Sequence, residues 1–107
     1  MRWYHGTTRE NWNAIQNEGI LFGRRFIVDN EGNPIREVDR CTYLTNSLEE
    51  AKCYGGVVLE VEYNPFDENG RIRKGKRGLP TNNYNPDSWQ MRVYEPIAID
   101  NVKLLEI

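Results

Sequence analysis

Apolar positions recur at helical spacing in two short stretches, and elsewhere they alternate in brief runs broken by Gly, Pro, Asn and Asp. The opening Arg2-Trp3-Tyr4-His5 is aromatic enough for a strand, and Gly6 breaks it. Thr7 with Glu10 three residues on makes a capping box, Trp12 and Ile15 lie one turn apart, and Gly19 is a C-terminal stop. A helix is therefore expected there, followed by a turn into Ile20-Leu21-Phe22. Phe26 to Val28 and Ile35 to Val38 are β-leaning runs around Asp29-Asn30-Glu31-Gly32-Asn33-Pro34, which fits either a hairpin or an extruded loop. Thr42-Tyr43-Leu44 reads as a further strand. Ser47 with Glu50 forms a second capping box, opening a helix through Leu48, Ala51 and Tyr54 that Gly55-Gly56 ends. Val57 to Tyr63 alternates branched or aromatic residues with Glu60 and Glu62, the pattern of a strand with one wet face.

From Asn64 to Ser88 neither period is sustained and turn residues are frequent, so a long loop is expected, functional or mobile. Trp89 to Tyr94 and Ile97 to Ile107 restore strand composition, punctuated by Pro96 and Asp100-Asn101. Many short strands with two short helices give an α+β class. A length of 107 residues, 38% hydrophobic and 28% charged, suits a single domain over 1–107 with one modest core.

A net charge of −2 argues against a general coat for nucleic acid, while leaving room for local basic patches. Cys41 and Cys53 cannot build a disulfide framework, and His5 is the sole histidine, so no zinc spacing exists and no metal site is expected. Reduced, buried thiols are the expectation. Met1 to His5 contains no apolar leader core, and no apolar run approaches the ~20 residues of a membrane span. A soluble, cytoplasmic protein with no membrane partner is expected.

His5 stands at a strand end directly before a glycine, where a side chain and an open backbone amide can both face a ligand; a packed histidine without a role fits the same position. No nucleophile elbow, P-loop, GxGxxG or Ser/His/Asp or Cys/His signature is present, which weakens hydrolytic mechanisms. Arg71, Arg73, Lys74, Lys76 and Arg77 crowd five cations into a short segment, either a solvated loop or a surface for an anionic partner.

Tyr4-His5-Gly6-Thr7 with Asn11-Trp12, Ile15 and Gly19-Ile20 resembles the first motif of the ADP-ribosyltransferase superfamily, especially its poly(ADP-ribose)-polymerase-like and diphtheria-toxin-like branch. Thr42-Tyr43-Leu44-Thr45, then Ser47, Ala51 and Tyr54-Gly55, looks like the second motif. Gln90-Met91-Arg92-Val93-Tyr94-Glu95, leading to Ile97 and Val102-Lys103-Leu104-Leu105, is similar to the third. The segments stand in the family's order. The resemblance implies a split antiparallel β-sandwich with two short helices around an NAD cleft.

It further implies that His5 hydrogen-bonds a ribose hydroxyl of NAD and that the Gly6 backbone clamps the nicotinamide amide, with Thr7 completing the motif. Tyr43 would stack on the nicotinamide ring and Tyr54 could close the other side, although a packed helix residue fits Tyr54 equally. An aromatic face offers a flat, partly cationic ring both area and quadrupole attraction. The third motif departs from the family: the position that is Glu in the polymerases is Gln90 here. An amide can hold a ribose hydroxyl but cannot act as a base or balance positive charge. Rival acids are Asp67 or Glu68, in a segment resembling that of rifampin ADP-ribosyltransferases, and Glu95. Gln90 ranks first because a strand holds it more rigidly than a loop would.

The expectation is thus a mono-ADP-ribosyltransferase, with His5, Tyr43 and Gln90 as catalytic residues and NAD as substrate. ADP-ribose would pass to a protein, nucleic acid or small-molecule acceptor, and the small size suits a bacterial or phage effector. Two alternatives remain open. One is an RNA 2'-phosphotransferase, with Arg2, Arg9 and Arg92 as candidates for its phosphate-binding arginines. The other is a degenerate module that binds NAD, ADP-ribose or a protein partner without turnover.

Overall fold

The computed structural model describes residues 1–23, 26–37, 41–75, 81–88 and 90–105, with the backbone alone at 26–28, 34, 36 and 37. Strand β1 (Arg2–Thr7) leads into α1 (Arg9–Glu18), followed by β2 (Ile20–Leu21), β3 (Phe26–Val28), β4 (Pro34–Glu37) and β5 (Thr42–Thr45). Helix α2 (Leu48–Ala51) runs on into a 3-10 turn over Lys52–Tyr54 and then β6 (Val57–Glu62). The last strands are β7 (Asn82–Asn83), β8 (Gln90–Val93), β9 (Ile97–Ala98) and β10 (Val102–Leu105). Six strands form one sheet in the order β10-β6-β1-β5-β8-β7, and every pairing in it is antiparallel. The pairs β2-β9 and β3-β4 form separate ribbons. The class is α+β, mostly antiparallel sheet, with two short α-helices among the described residues.

The core lies on one face of the main sheet. Trp3, Leu44, Leu59, Val61, Met91 and Val93 supply the sheet side, and Trp12 and Ile15 of α1 cover them. Gly19, at φ 76°, closes α1 with its N–H on the Ile15 carbonyl, so the left-handed stop sits where the sequence puts it. The N-terminal cap is one residue later than expected. Thr8 accepts from the Asn11 N–H at 3.2 Å, while Thr7 is the buried last residue of β1, paired with Val57. Pairing with β6 holds Thr7 extended, and the hydroxyl one residue on takes the cap.

Helix α2 lies directly on β1. A Cβ on Gly6 would run into the Ala51 carbonyl oxygen, so only glycine allows this approach. Val58, the register partner of Gly6, shares that covered face and is buried. This explains a departure from the alternation: Val57, Val58, Leu59 and Val61 are all buried, and only Glu60 and Glu62 keep contact with water. Strand β6 has a neighbour on each edge and cover on both faces.

Cys53, expected buried, is exposed on the 3-10 turn, and Cys41 is half-buried. Residues 29–34 form a hairpin turn rather than an extruded loop, with the Asp29 carboxylate accepting from the N–H groups of Glu31 and Asn33 at 2.9 Å each.

The aperiodic segment after β6 is held by side chains. The Asp67 carboxylate accepts from the N–H groups of Asn69 (2.8 Å) and Arg71 (3.0 Å), and Phe66 bridges Ile72. Fully buried Asn82 donates to the Pro65 carbonyl at 3.1 Å and accepts from the Tyr63 hydroxyl at 2.6 Å. Tyr63 also meets Glu95, which pairs with Arg73 at 2.6 Å, and the Arg73 guanidinium lies 5.2 Å from the Tyr63 ring centre. Tyr84 packs edge-on against Trp3 and Phe66, at ring separations of 6.0 and 5.5 Å. A loop was expected over the whole stretch, yet Asn82–Asn83 pairs with β8 as a strand.

Burial, and then the Glu95 contact, pushes the Tyr63 hydroxyl well above its ordinary pKa, so it stays protonated as a donor. Tyr63→Phe removes the hydroxyl shared by buried Asn82 and Glu95 and should cost about 1–3 kcal/mol, read from the urea midpoint. Gly6→Ala should cost about as much through steric conflict with Ala51, with the same readout.

Candidate functional site

Strand β1 meets β6 along six register pairs, from Arg2–Glu62 to Thr7–Val57, but meets β5 at the single pair Tyr4–Thr45. Continued register would set His5 opposite Leu44 and Gly6 opposite Tyr43. Instead the strands part, and a cleft of about 360 Å³ opens between them. Its walls are Tyr4, His5 and Gly6 from β1, and Tyr43, Leu44 and Thr45 from β5. Tyr54, at the end of the 3-10 turn, and Gln90 and Arg92 of β8 complete it. The volume lies in the range of small-ligand sites.

Register explains the side of β5 and β8 that faces the cleft. Tyr43 pairs with Arg92 and Thr45 with Gln90, so these four side chains share a face, while Leu44 and Met91 turn into the core on the other. The Arg92 guanidinium lies 5.8 Å from the Tyr43 ring centre, a cation held at an aromatic face. Among the described residues, Arg92 is the one Lys or Arg of the lining.

His5 spans the gap. Its Nδ1 lies 2.8 Å from the Tyr43 carbonyl oxygen, so in the neutral imidazole Nδ1–H donates and Nε2 is left as an acceptor. Burial lowers the pKa of the ring from its ordinary value, and the Tyr43 carbonyl partly opposes that shift. The neutral form therefore prevails at pH 7. Tyr43 and Tyr54 are 42% and 52% exposed, which leaves both rings accessible from the cleft.

A chain of hydrogen bonds crosses the far wall. Gln90 Nε2 donates to the Tyr54 hydroxyl at 2.7 Å, and that hydroxyl donates to Glu50 Oε1 at 3.2 Å. Gly55, at φ 140° and with the Thr7 carbonyl where a Cβ would stand, lets the chain turn sharply after Tyr54.

Of the residues singled out from sequence, His5, Gly6, Tyr43, Tyr54 and Gln90 line this cleft, and Thr7 does not. Asp67, Glu68 and Glu95 are also outside the lining. Asp67 ties its own turn, Glu68 is exposed in that turn, and Glu95 is engaged by Arg73 and Tyr63. In the basic run, Arg71 and Lys74 are exposed, Arg73 is paired, and Lys76 and Arg77 lie outside the described residues. Of the three arginines considered for a phosphate, only Arg92 reaches the cleft, and Arg2 pairs with Glu60 at 3.3 Å. Sequence reasoning assigned no cleft role to Tyr4, Leu44, Thr45 or Glu50. Alternation along β5 could have flagged Thr45 beside Tyr43, but nothing local marks Glu50.

Among the described residues, no cluster of His, Cys, Asp or Glu is placed to hold a metal ion, and no helix is long and apolar enough to cross a membrane. No family model, curated protein or solved structure matches the chain.

The His5 ring should titrate below pH 6.5 when its carbon-bound protons are followed by NMR. Because the unfolded chain then binds the extra proton more readily, this group's contribution to stability is complete above pH 6.5 and is lost as pH falls through the folded value. A midpoint at or above 6.5 would contradict the half-buried, neutral imidazole.

Proposed function

We propose that the protein is a mono-ADP-ribosyltransferase that uses NAD as its substrate. The observation that carries this reading is the convergence of His5, Gly6, Tyr43, Tyr54 and Gln90 at one cleft. These residues come from the three separate segments that resemble the superfamily's motifs. An antiparallel sheet that parts at β1 and β5 is also in keeping with the split architecture that the resemblance implies.

In this reading the Gly6 backbone meets the nicotinamide amide and Tyr43 stacks on its ring. Neutral His5 offers Nε2 to a ribose hydroxyl. Arg92, at the mouth beside Tyr43, favours a ligand that carries phosphate. The bond between the nicotinamide nitrogen and ribose C1' breaks, its electron pair leaves with neutral nicotinamide, and a nucleophile of the acceptor forms the new bond to C1'. The acceptor's proton passes to solvent. Gln90 has no charge and no basic site, so its part is to hold a hydroxyl while orientation and dipoles stabilise the oxocarbenium-like ribose. That limits the reaction to a single transfer rather than chain elongation. A cytoplasmic setting would supply the NAD, and the acceptor can be a protein, a nucleic acid or a small molecule.

An RNA 2'-phosphotransferase receives less support, since among the described residues Arg92 is the one arginine in the cleft lining. The test is nicotinamide release from NAD by the purified protein, with and without a lysate of candidate host cells. Release should fall at least a hundredfold in His5→Ala and Tyr43→Ala and remain largely intact in Tyr43→Phe. NAD binding without release, with lysate supplied, would select a binding module. Absence of both binding and release would overturn the transferase reading.

A further inference from the structure

The second capping box is made only in half, and the unused half points at the cleft. Ser47 Oγ accepts from the Glu50 N–H at 3.2 Å, as a helix N-cap does. The return bond, from the Ser47 N–H to the Glu50 carboxylate, is replaced: Thr45 Oγ1 accepts that N–H at 3.1 Å. The Glu50 side chain is thereby free to reach the Tyr54 hydroxyl one turn on. No cation competes for it among the described residues, since Lys52 pairs with Glu49 at 3.2 Å.

A hydroxyl has one proton to give. An ionised carboxylate only accepts, so the Tyr54 proton is committed to Glu50, and the Tyr54 oxygen can only accept from Gln90. This fixes the Gln90 amide. Rotated by half a turn, it would set its carbonyl oxygen against a hydroxyl with no proton left, two acceptors facing each other. With Nε2 tied back at 2.7 Å, Oε1 has no donor among the described residues.

We propose that Glu50, acting through Tyr54, is a positioning residue that turns the Gln90 carbonyl oxygen toward the ligand and so makes this wall select a hydrogen-bond donor, such as a sugar hydroxyl. A carboxylate or phosphate oxygen at the same point is refused. The choice of a ribose hydroxyl as occupant rests on the NAD reading above, whereas the amide orientation belongs to the free protein and can be measured without any ligand.

The experiment uses the full chain labelled with nitrogen-15. The Gln90 side-chain amide signals are identified by their disappearance in Gln90→Glu. In the wild-type protein one Nε2 proton should exchange slowly with solvent. In Glu50→Ala, and independently in Tyr54→Phe, that protection should fall to the level of exposed Gln16. Calorimetry with ADP-ribose and with ADP, which lacks the second ribose, reads the consequence. Glu50→Ala should weaken ADP-ribose roughly tenfold, the scale of one hydrogen bond, and leave ADP unchanged. A general loosening of the fold would weaken both ligands together. Unchanged Gln90 protection in Glu50→Ala, or unchanged ADP-ribose affinity, overturns the proposal. If the wild-type protein binds neither these ligands nor NAD and releases no nicotinamide, the NAD reading falls, while intact protection in the wild type and its loss in both variants would still support the Glu50 assignment.

Discussion

Tyr4 and Thr45 form the single register pair that joins β1 to β5, and beyond it the Tyr43 carbonyl is met by the His5 imidazole. The geometry of the cleft depends on this one join. A fully zipped ladder would close the gap, and a sheet broken there would lose the bonds that set the width of the cleft at β1. At this point one backbone pair and one side-chain bond join β1 to β5 while holding them apart. The same bond fixes the tautomer of His5, so sheet geometry and the chemistry of the site have a common cause.

Close packing on β1 does the rest of the positioning. Because Gly6 has no side chain, α2 can rest on the strand, and the 3-10 turn that follows brings Tyr54 to the rim of the cleft. Tyr54 then ties Gln90 of β8 to Glu50 of α2. Thus two strands and a helix that are separate along the chain are joined around one opening. Among the described residues, aromatic rings, a neutral imidazole, an amide and one guanidinium line it, and no carboxylate stands directly in the wall.

The segment after β6 reaches order by a different route. With no hydrophobic period to bury, it depends on the chain of Arg73, Glu95, Tyr63 and Asn82 and on rings packed about Tyr84. These groups consume Glu95 and Arg73, which sequence reasoning had kept available for a ligand. Charged residues in an aperiodic stretch look solvated from their local composition alone, and only their distant partners show otherwise.

What the sequence determined by itself is whatever a few neighbouring residues can decide. The stop of α1 at Gly19, the caps and turns at Ser47 and Asp29, and the strand character of β1, β5, β6 and β8 all follow from backbone preferences and short-range hydrogen bonds. The cap at Thr8 rather than Thr7 was already beyond that range, because pairing with Val57 decides it. Only the tertiary structure parted β1 from β5, buried both faces of β6, withdrew Glu95 into a structural pair and turned Glu50 toward the cleft. Each of these depends on groups far apart in the chain, so no local pattern of hydrophobic and polar residues encodes them one by one.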